Sequence, residues 1–241
     1  MIEFVRGDTA AVGRTTLVYP DHGLRVTLYP VFHIGSPRFY AALSDDLSRF
    51  HVLLLEGVRW RGWRGPVYDL AARNLGLVTQ REYLRLPADT ERLPLDMTEA
   101  EFQQEARGLP VQWRVVLWLL RPILWAITCT EAGRHSVWDS FSKQSYVRGL
   151  QDAGGPLSRL IGTKRDRAMS KRLREFVQDP RPHGERSEVA VIAGAAHMPA
   201  LYVALRECGF EKRGVRWFEV LDGLKVPSRG TGGRASSVDG R

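Results

Sequence analysis

The sequence predicts an α/β protein whose central sheet is mixed but mostly parallel, with flanking helices and a helical insertion. Three observations carry this prediction. Twice, at residues 29–37 and 191–199, a β-rich apolar run breaks into a small-residue turn and a Pro then opens a helical pattern. A third apolar run, residues 52–55, ends at Glu56-Gly57. Between about residues 98 and 180 the patterns are long and helical with little strand character. Strands alternating with helical patterns are the signature of a parallel sheet covered by helices.

Taken in order, residues 15–19 and 24–32 are β-rich and flank Asp21-His22-Gly23, so the chain opens with a hairpin and His22 is a turn residue. Ser36-Pro37 supplies an N-cap and a first-turn proline, and Phe39, Leu43, Leu47 and Phe50 recur at helical spacing. With the strand to Glu56 this completes a βαβ unit. Residues 66–75 read as a helix stopped by Gly76, and residues 77–80 as a strand extending the parallel sheet. Thr98-Glu99-Ala100-Glu101 has the form of a capping box and opens the helical insertion. Residues 165–177 form a helix with Met169, Leu173, Phe176 and Val177 on its inner face. A strand at 188–193, a helix at 198–208 stopped by Gly209 and a strand at 214–221 make a second βαβ-like unit. One domain, residues 1–226, follows, with a polar Gly/Ser/Arg-rich tail at 227–241 that is too poor in apolar residues to order itself.

Composition narrows the function. Hydrophobic residues at 44% and charged residues at 26% fit a globular protein. The net charge of +8 favours acidic partners, but the one basic-aromatic segment, residues 59–64, reads equally as a loop whose Trp rings pack while the Arg heads stay wet, and nucleic acid is not an expected partner. Cys129 and Cys208 lie in apolar helical patterns, as reduced thiols do, and acidic residues near the N-terminus argue against a signal peptide. A cytoplasmic protein is expected. Residues 111–130 are the most apolar stretch, with Trp113, Trp118 and Trp125 and with Arg121-Pro122 in the middle. A central Arg is costly in lipid. The stretch reads as two buried helices broken at Pro122, or as a surface that docks on a membrane or a partner.

His33, Glu56 and His197 stand at the ends of the three apolar runs. Carboxyl ends of parallel strands are where reacting groups collect in open α/β sheets. Gathered there, two imidazoles and a carboxylate suit a divalent ion such as Mn, Co or Zn, with an open position for an acidified water. Glu56 could instead act as a general base. Each histidine also has an ordinary reading, a strand-end imidazole bonded to a backbone carbonyl. His51, His135 and His183 are expected to be structural or solvent-facing. Lys164-Arg165-Asp166-Arg167 begins a helix, and its charges either point into the cleft or form a solvated run. Gln80 and Asp96 fall in loops after expected strands, within reach of a substrate. No Gly-x-Ser-x-Gly elbow, phosphate loop or dinucleotide glycine pattern occurs.

These residues resemble the TraB/PrgY/Tiki superfamily, which includes GumN-like proteins, over about residues 28–221. Gly194-Ala195-Ala196-His197 matches its second Gly-x-x-His motif, Leu53-Leu54-Leu55-Glu56 its acidic strand, and Arg165-Asp166-Arg167-Ala168-Met169 its Arg-Asn/Asp-Arg-x-Met helix start. Ahead of His33, Pro30 stands where the first motif has glycine. The resemblance implies a metal-dependent hydrolase, most of all a peptidase. His33, Glu56 and His197 would be metal or catalytic positions, Arg165 would be a supporting catalytic residue, and Gln80, Asp96 and Arg167 would contact a peptide or small-molecule substrate. The alternative is a regulatory protein that binds a peptide or other ligand in the same cleft without turnover.

Overall fold

A computed structural model describes residues 5–6, 9–21, 23–57, 69, 72–116, 119, 130, 155–156, 159–179 and 188–221. The chain is α/β. Its main sheet has seven strands: β1 (Val5–Arg6), β2 (Thr9–Val18), β3 (Arg25–Val31), β5 (Val52–Leu55), β7 (Glu91–Pro94), β8 (Glu188–Gly194) and β9 (Glu211–Glu219). From β2 the spatial order runs β3, β8, β5, β7, while β9 and β1 pair with β2 from the other side. β2 is antiparallel to each of its partners and the remaining pairings are parallel, so β2 alone runs against the other strands.

The hairpin between β2 and β3 turns through Gly23, whose φ of 68° suits a residue without Cβ. α1 (Pro37–Leu47) starts as its sequence predicts, with the Ser36 hydroxyl accepting from the Phe39 N–H at 3.1 Å. It buries Phe39, Tyr40, Leu43 and Leu47 and leads the chain past the position of β8 to β5. The chain later returns from the edge strand β7 to insert β8 between β3 and β5. Because parallel crossovers are right-handed, steps in opposite directions along the sheet put their helices on opposite faces. α4 (Arg165–Gln178) and α5 (Met198–Glu207), on either side of β8 in the chain, accordingly pack on each other. The core is one continuous cluster; Leu28, Leu53 and Val191, from three adjacent strands, are fully buried.

Three features depart from the sequence reading. Residues 77–80 do not extend the parallel sheet: β6 (Val78–Thr79) pairs antiparallel with β4 (Ile34–Gly35) in a separate two-stranded ribbon, and α2 (Gln80–Tyr83) follows at once. A two-residue apolar run is too short to specify which partner it meets. β7 was not expected at all. Its Glu-Arg-Leu-Pro sequence lacks a strand pattern, but at the edge of a sheet charge and proline are tolerated because one side of the backbone needs no partner. β9 begins at Glu211, three residues earlier than its apolar pattern, and its first six residues are exposed.

The described part of the insertion is helical, with α3 (Glu99–Arg107) and a π-helical turn at Arg159–Lys164 that runs into α4. The Thr98 capping box is complete: Glu101 N–H donates to the Thr98 hydroxyl at 3.2 Å and Thr98 N–H donates to the Glu101 carboxylate at 2.6 Å. Of the apolar stretch 111–130 only 111–116, 119 and 130 are described; Val111, Val115 and Val116 are exposed there. No helix among the described residues is long and apolar enough to cross a membrane. Cys208 is half-buried and unbridged among the described residues. His22, the basic-aromatic segment at 59–64, Trp118, Arg121, Pro122, Trp125, Cys129, His135, His183 and the tail lie outside the described residues.

Candidate functional site at the carboxyl edge of the sheet

Four parallel strands lie side by side, and each hands a polar residue to the same edge. β3 is followed by His33, β5 by Glu56 and β7 by Asp96, while β8 ends at Gly194 and a 3-10 turn (Ala195–His197) carries His197. The crossing at which β8 enters between β3 and β5 is a switch point, where open α/β sheets leave a crevice.

Glu56 is the centre of the buried part. One carboxylate oxygen, Oε1, accepts from Arg165 Nη2, and the other, Oε2, accepts from the Gly194 N–H. His197 Nε2 lies 3.6 Å from Oε1. Burial alone would raise the Glu56 pKa, but the Arg165 guanidinium, the His197 ring and the Gly194 N–H outweigh it and hold the carboxyl down to about 2. Glycine at 194 gives the carboxylate room for this approach. A Cβ there would meet Glu56 Oε2 at 3.1 Å, tighter than ordinary contact, so the carboxylate would have to give by a few tenths of an ångström.

Arg165 is itself held from behind. Its Nη2 also donates to Asp96 Oδ2, and its Nε donates to both Asp96 oxygens at 3.1 and 3.2 Å. Asp96, 2% exposed, further accepts from the Met97 N–H at 2.7 Å. These carboxylates keep the buried guanidinium charged, raising its pKa against the desolvation that would lower it. On the other side, Asp166 Oδ1 accepts from His197 Nδ1 at 2.6 Å. The result is one chain of contacts, Asp96 to Arg165 to Glu56 to His197 to Asp166, tying β7, β5, β8 and the first turn of α4 together.

Beside this chain lies a cavity of about 320 Å³, whose polar lining includes His33, Glu56, Asp69, Gln80, Arg81 and the backbone of Gly194. His33 is exposed, and its carbonyl accepts from the Gln80 N–H at 2.9 Å, so α2 is fastened against the turn that presents the imidazole. Pro30, at the first-motif glycine position, stays in register with Ala193 of β8 and lies past Leu28, the last β3 residue paired with β2. Proline therefore shapes this turn without interrupting the strand.

The expected site residues divide. Glu56 and Arg165 meet, His197 lies beside Glu56, and His33 and Gln80 share the cavity with Glu56. Asp96 is not a cavity residue but the buried anchor of Arg165. Arg167 is exposed and does not line the cavity, because two steps along a helix turn a side chain away from Arg165. Asp166, which the sequence singled out only within a charge run, is the partner of the His197 ring. Its position right after Arg165 at a helix start was the available signal. His51 is exposed and away from the cavity lining.

Comparison with family models, with curated proteins and with solved structures finds no match for the chain. What the site does must therefore be argued from its donor set. For a divalent ion that set is a poor fit. Each Glu56 oxygen already accepts from a donor, and the positive Arg165 guanidinium beside the carboxylate opposes a second cation there. His197 Nδ1 is taken by Asp166, and His33 lies on the cavity, whose lining does not include His197. Among the described residues no three His, Cys, Asp or Glu side chains gather as ligands.

Proposed function

We propose that the chain is a cytoplasmic hydrolase that cleaves amide or ester bonds, most of all in peptides as the TraB/Tiki resemblance implies, working in the cavity at the carboxyl edge of its parallel strands without the metal which that resemblance also implies. The observation that carries the reading is an exposed imidazole, His33, sharing one cavity with a buried carboxylate that stays ionised. The motif residues Glu56, Arg165, Gly194 and His197, far apart in sequence, converge beside it.

The roles follow from where each group stands on or behind the cavity wall. Glu56, held at about 2, is a weak base at neutral pH and serves as a fixed negative charge. His33 is the imidazole on the cavity lining, which makes it the group placed to take a proton from water as the water oxygen attacks the substrate carbonyl. The imidazolium formed on His33 is favoured by the Glu56 charge on the same wall. The Gln80 carboxamide, on α2 at the cavity, is the side chain suited to donate to the developing oxyanion. Arg165 has its Nε and Nη2 bonded to Glu56 and Asp96, and acts by keeping Glu56 in place rather than by touching substrate. A metal-activated water would need Glu56 to exchange Arg165 for an ion.

The test is cleavage of a mixed set of short peptides by purified protein, with chelator and with added Mn, Co or Zn, alongside His33→Ala. Cleavage that His33→Ala lowers by about 10²- to 10⁴-fold is the expected result. No cleavage in any condition, or an active His33→Ala, overturns the reading. A second reading, ligand binding without turnover, is favoured by the full engagement of Glu56 and predicts peptide binding with no product.

A further inference from the structure

We infer that Arg81 is the residue that selects the substrate, and that the cavity takes short apolar peptides with a free C-terminal carboxylate, which the Arg81 guanidinium binds. The inference rests on the cavity being a peptide site as proposed above. Arg81 lines the cavity from α2. Its backbone is well held, since Gln80 N–H donates to the His33 carbonyl at 2.9 Å, Leu84 N–H donates to the Gln80 carbonyl at 2.9 Å and Arg85 N–H donates to the Ser44 hydroxyl of α1 at 2.9 Å.

The side chain differs from the other arginine at this site. Arg165 faces the carboxylates of Glu56 and Asp96. Arg81 makes no hydrogen bond or ion pair among the described residues, although it lies in a cavity wall where Glu56 is already paired with Arg165. A guanidinium left open on a fixed base is suited to a carboxylate, which it can grip with two parallel N–H bonds.

The rest of the cavity limits what the carboxylate can belong to. Val31, Leu84, Leu86 and Ile192 give it an apolar wall suited to an aliphatic side chain. Asp69, also on the lining and also without an ion pair among the described residues, offers an anion to a free ammonium group. At about 320 Å³ the cavity is at the small end of ligand sites, so a peptide of a few residues fills it and a longer chain must leave it. A carboxylate for Arg81, an ammonium for Asp69 and an apolar side chain for the aliphatic lining describe a di- or tripeptide.

The experiment measures binding by calorimetry of leucyl-leucine and of its C-terminal amide to the full chain and to Arg81→Gln and Arg81→Lys. Arg81 is exposed, so the variants should fold, and thermal unfolding verifies it. The free acid should bind the native chain about tenfold to a hundredfold better than the amide, as a charge-assisted contact implies. Arg81→Gln should abolish that preference without weakening the amide further, and Arg81→Lys should restore part of it. In any cleavage assay the loss should fall on KM more than on kcat. Equal binding of acid and amide, a preference that survives Arg81→Gln, or no binding of leucyl-leucine overturns the inference. An Arg81-dependent preference without cleavage overturns the hydrolase reading alone, and equal cleavage of both peptides overturns the Arg81 assignment alone.

Discussion

Asp46 and Glu56 are both carboxylates shielded from solvent and held by arginine, yet only Glu56 lies on the cavity. Asp46, at the end of α1, accepts from Arg14 at 2.6 Å, from the Tyr29 hydroxyl at 2.6 Å and from Arg216 at 3.2 Å. That cluster joins α1 to β2, β3 and β9. Burial, and the hydrogen bond that Tyr29 gives to Asp46, push the Tyr29 hydroxyl above its usual range and keep it a donor. Glu56 joins β5, β8 and α4 in the same way. Ion pairing alone therefore does not mark a functional site. What separates the two is the neighbouring space, a cavity lined by the His33 imidazole, the Gln80 amide and the Arg81 guanidinium.

The sharpest way to break the comparison is to remove the arginine. Arg165→Met should leave Glu56 and Asp96 buried without their cation and cost about 3–5 kcal/mol, read as a drop in denaturation midpoint. A variant of unchanged stability would mean that the pair is not buried as described.

Acid should act on the Glu56 cluster next. The Glu56 carboxyl is lowered from 4.5 to about 2, so as pH falls the unfolded chain takes up the proton first. Its contribution is complete above pH 4.5 and fades as pH falls towards 2, a loss of about 3 kcal/mol from this group. Glu56→Gln should flatten that part of the stability profile. An acid limb identical in the two proteins would remove Glu56 as its cause.

The smallest effect belongs to the structural cluster. Tyr29→Phe deletes the hydrogen bond to Asp46 and the one accepted from Arg14 but leaves Arg14 and Arg216 on the carboxylate, so a loss of about 1–2 kcal/mol is expected. Peptide turnover at a temperature where both proteins are folded should not change.

Much of this was legible in the sequence, for reasons that differ by residue. The helix starts at Ser36 and Thr98 are local, set by side chains within three positions, and the structure has both caps. The convergence of Glu56, Arg165 and His197 was legible because each ends or begins an element that an α/β sheet must bring to one edge. β7 was not, since an edge strand takes its partner from the finished sheet and leaves little pattern in Glu-Arg-Leu-Pro. The pairing of β6 with β4 was missed for a similar reason: two residues joined to a distant turn are placed by tertiary context. Asp96 is expected at the substrate because it falls in a loop after a strand, and Arg167 because it belongs to the charged helix start; neither signal says which way a side chain turns. Arg81 was passed over because an arginine in a four-residue helix carries no motif; only the cavity gives it meaning.

The most direct measurement compares His33→Ala with Tyr29→Phe in two assays, thermal unfolding and peptide turnover. The account predicts opposite profiles: His33→Ala keeps the native unfolding temperature and loses turnover by about 10²- to 10⁴-fold, while Tyr29→Phe loses stability and keeps turnover. Turnover that follows stability in both variants, or a fully active His33→Ala, would contradict the claim that the cavity at the carboxyl edge is where the chemistry occurs.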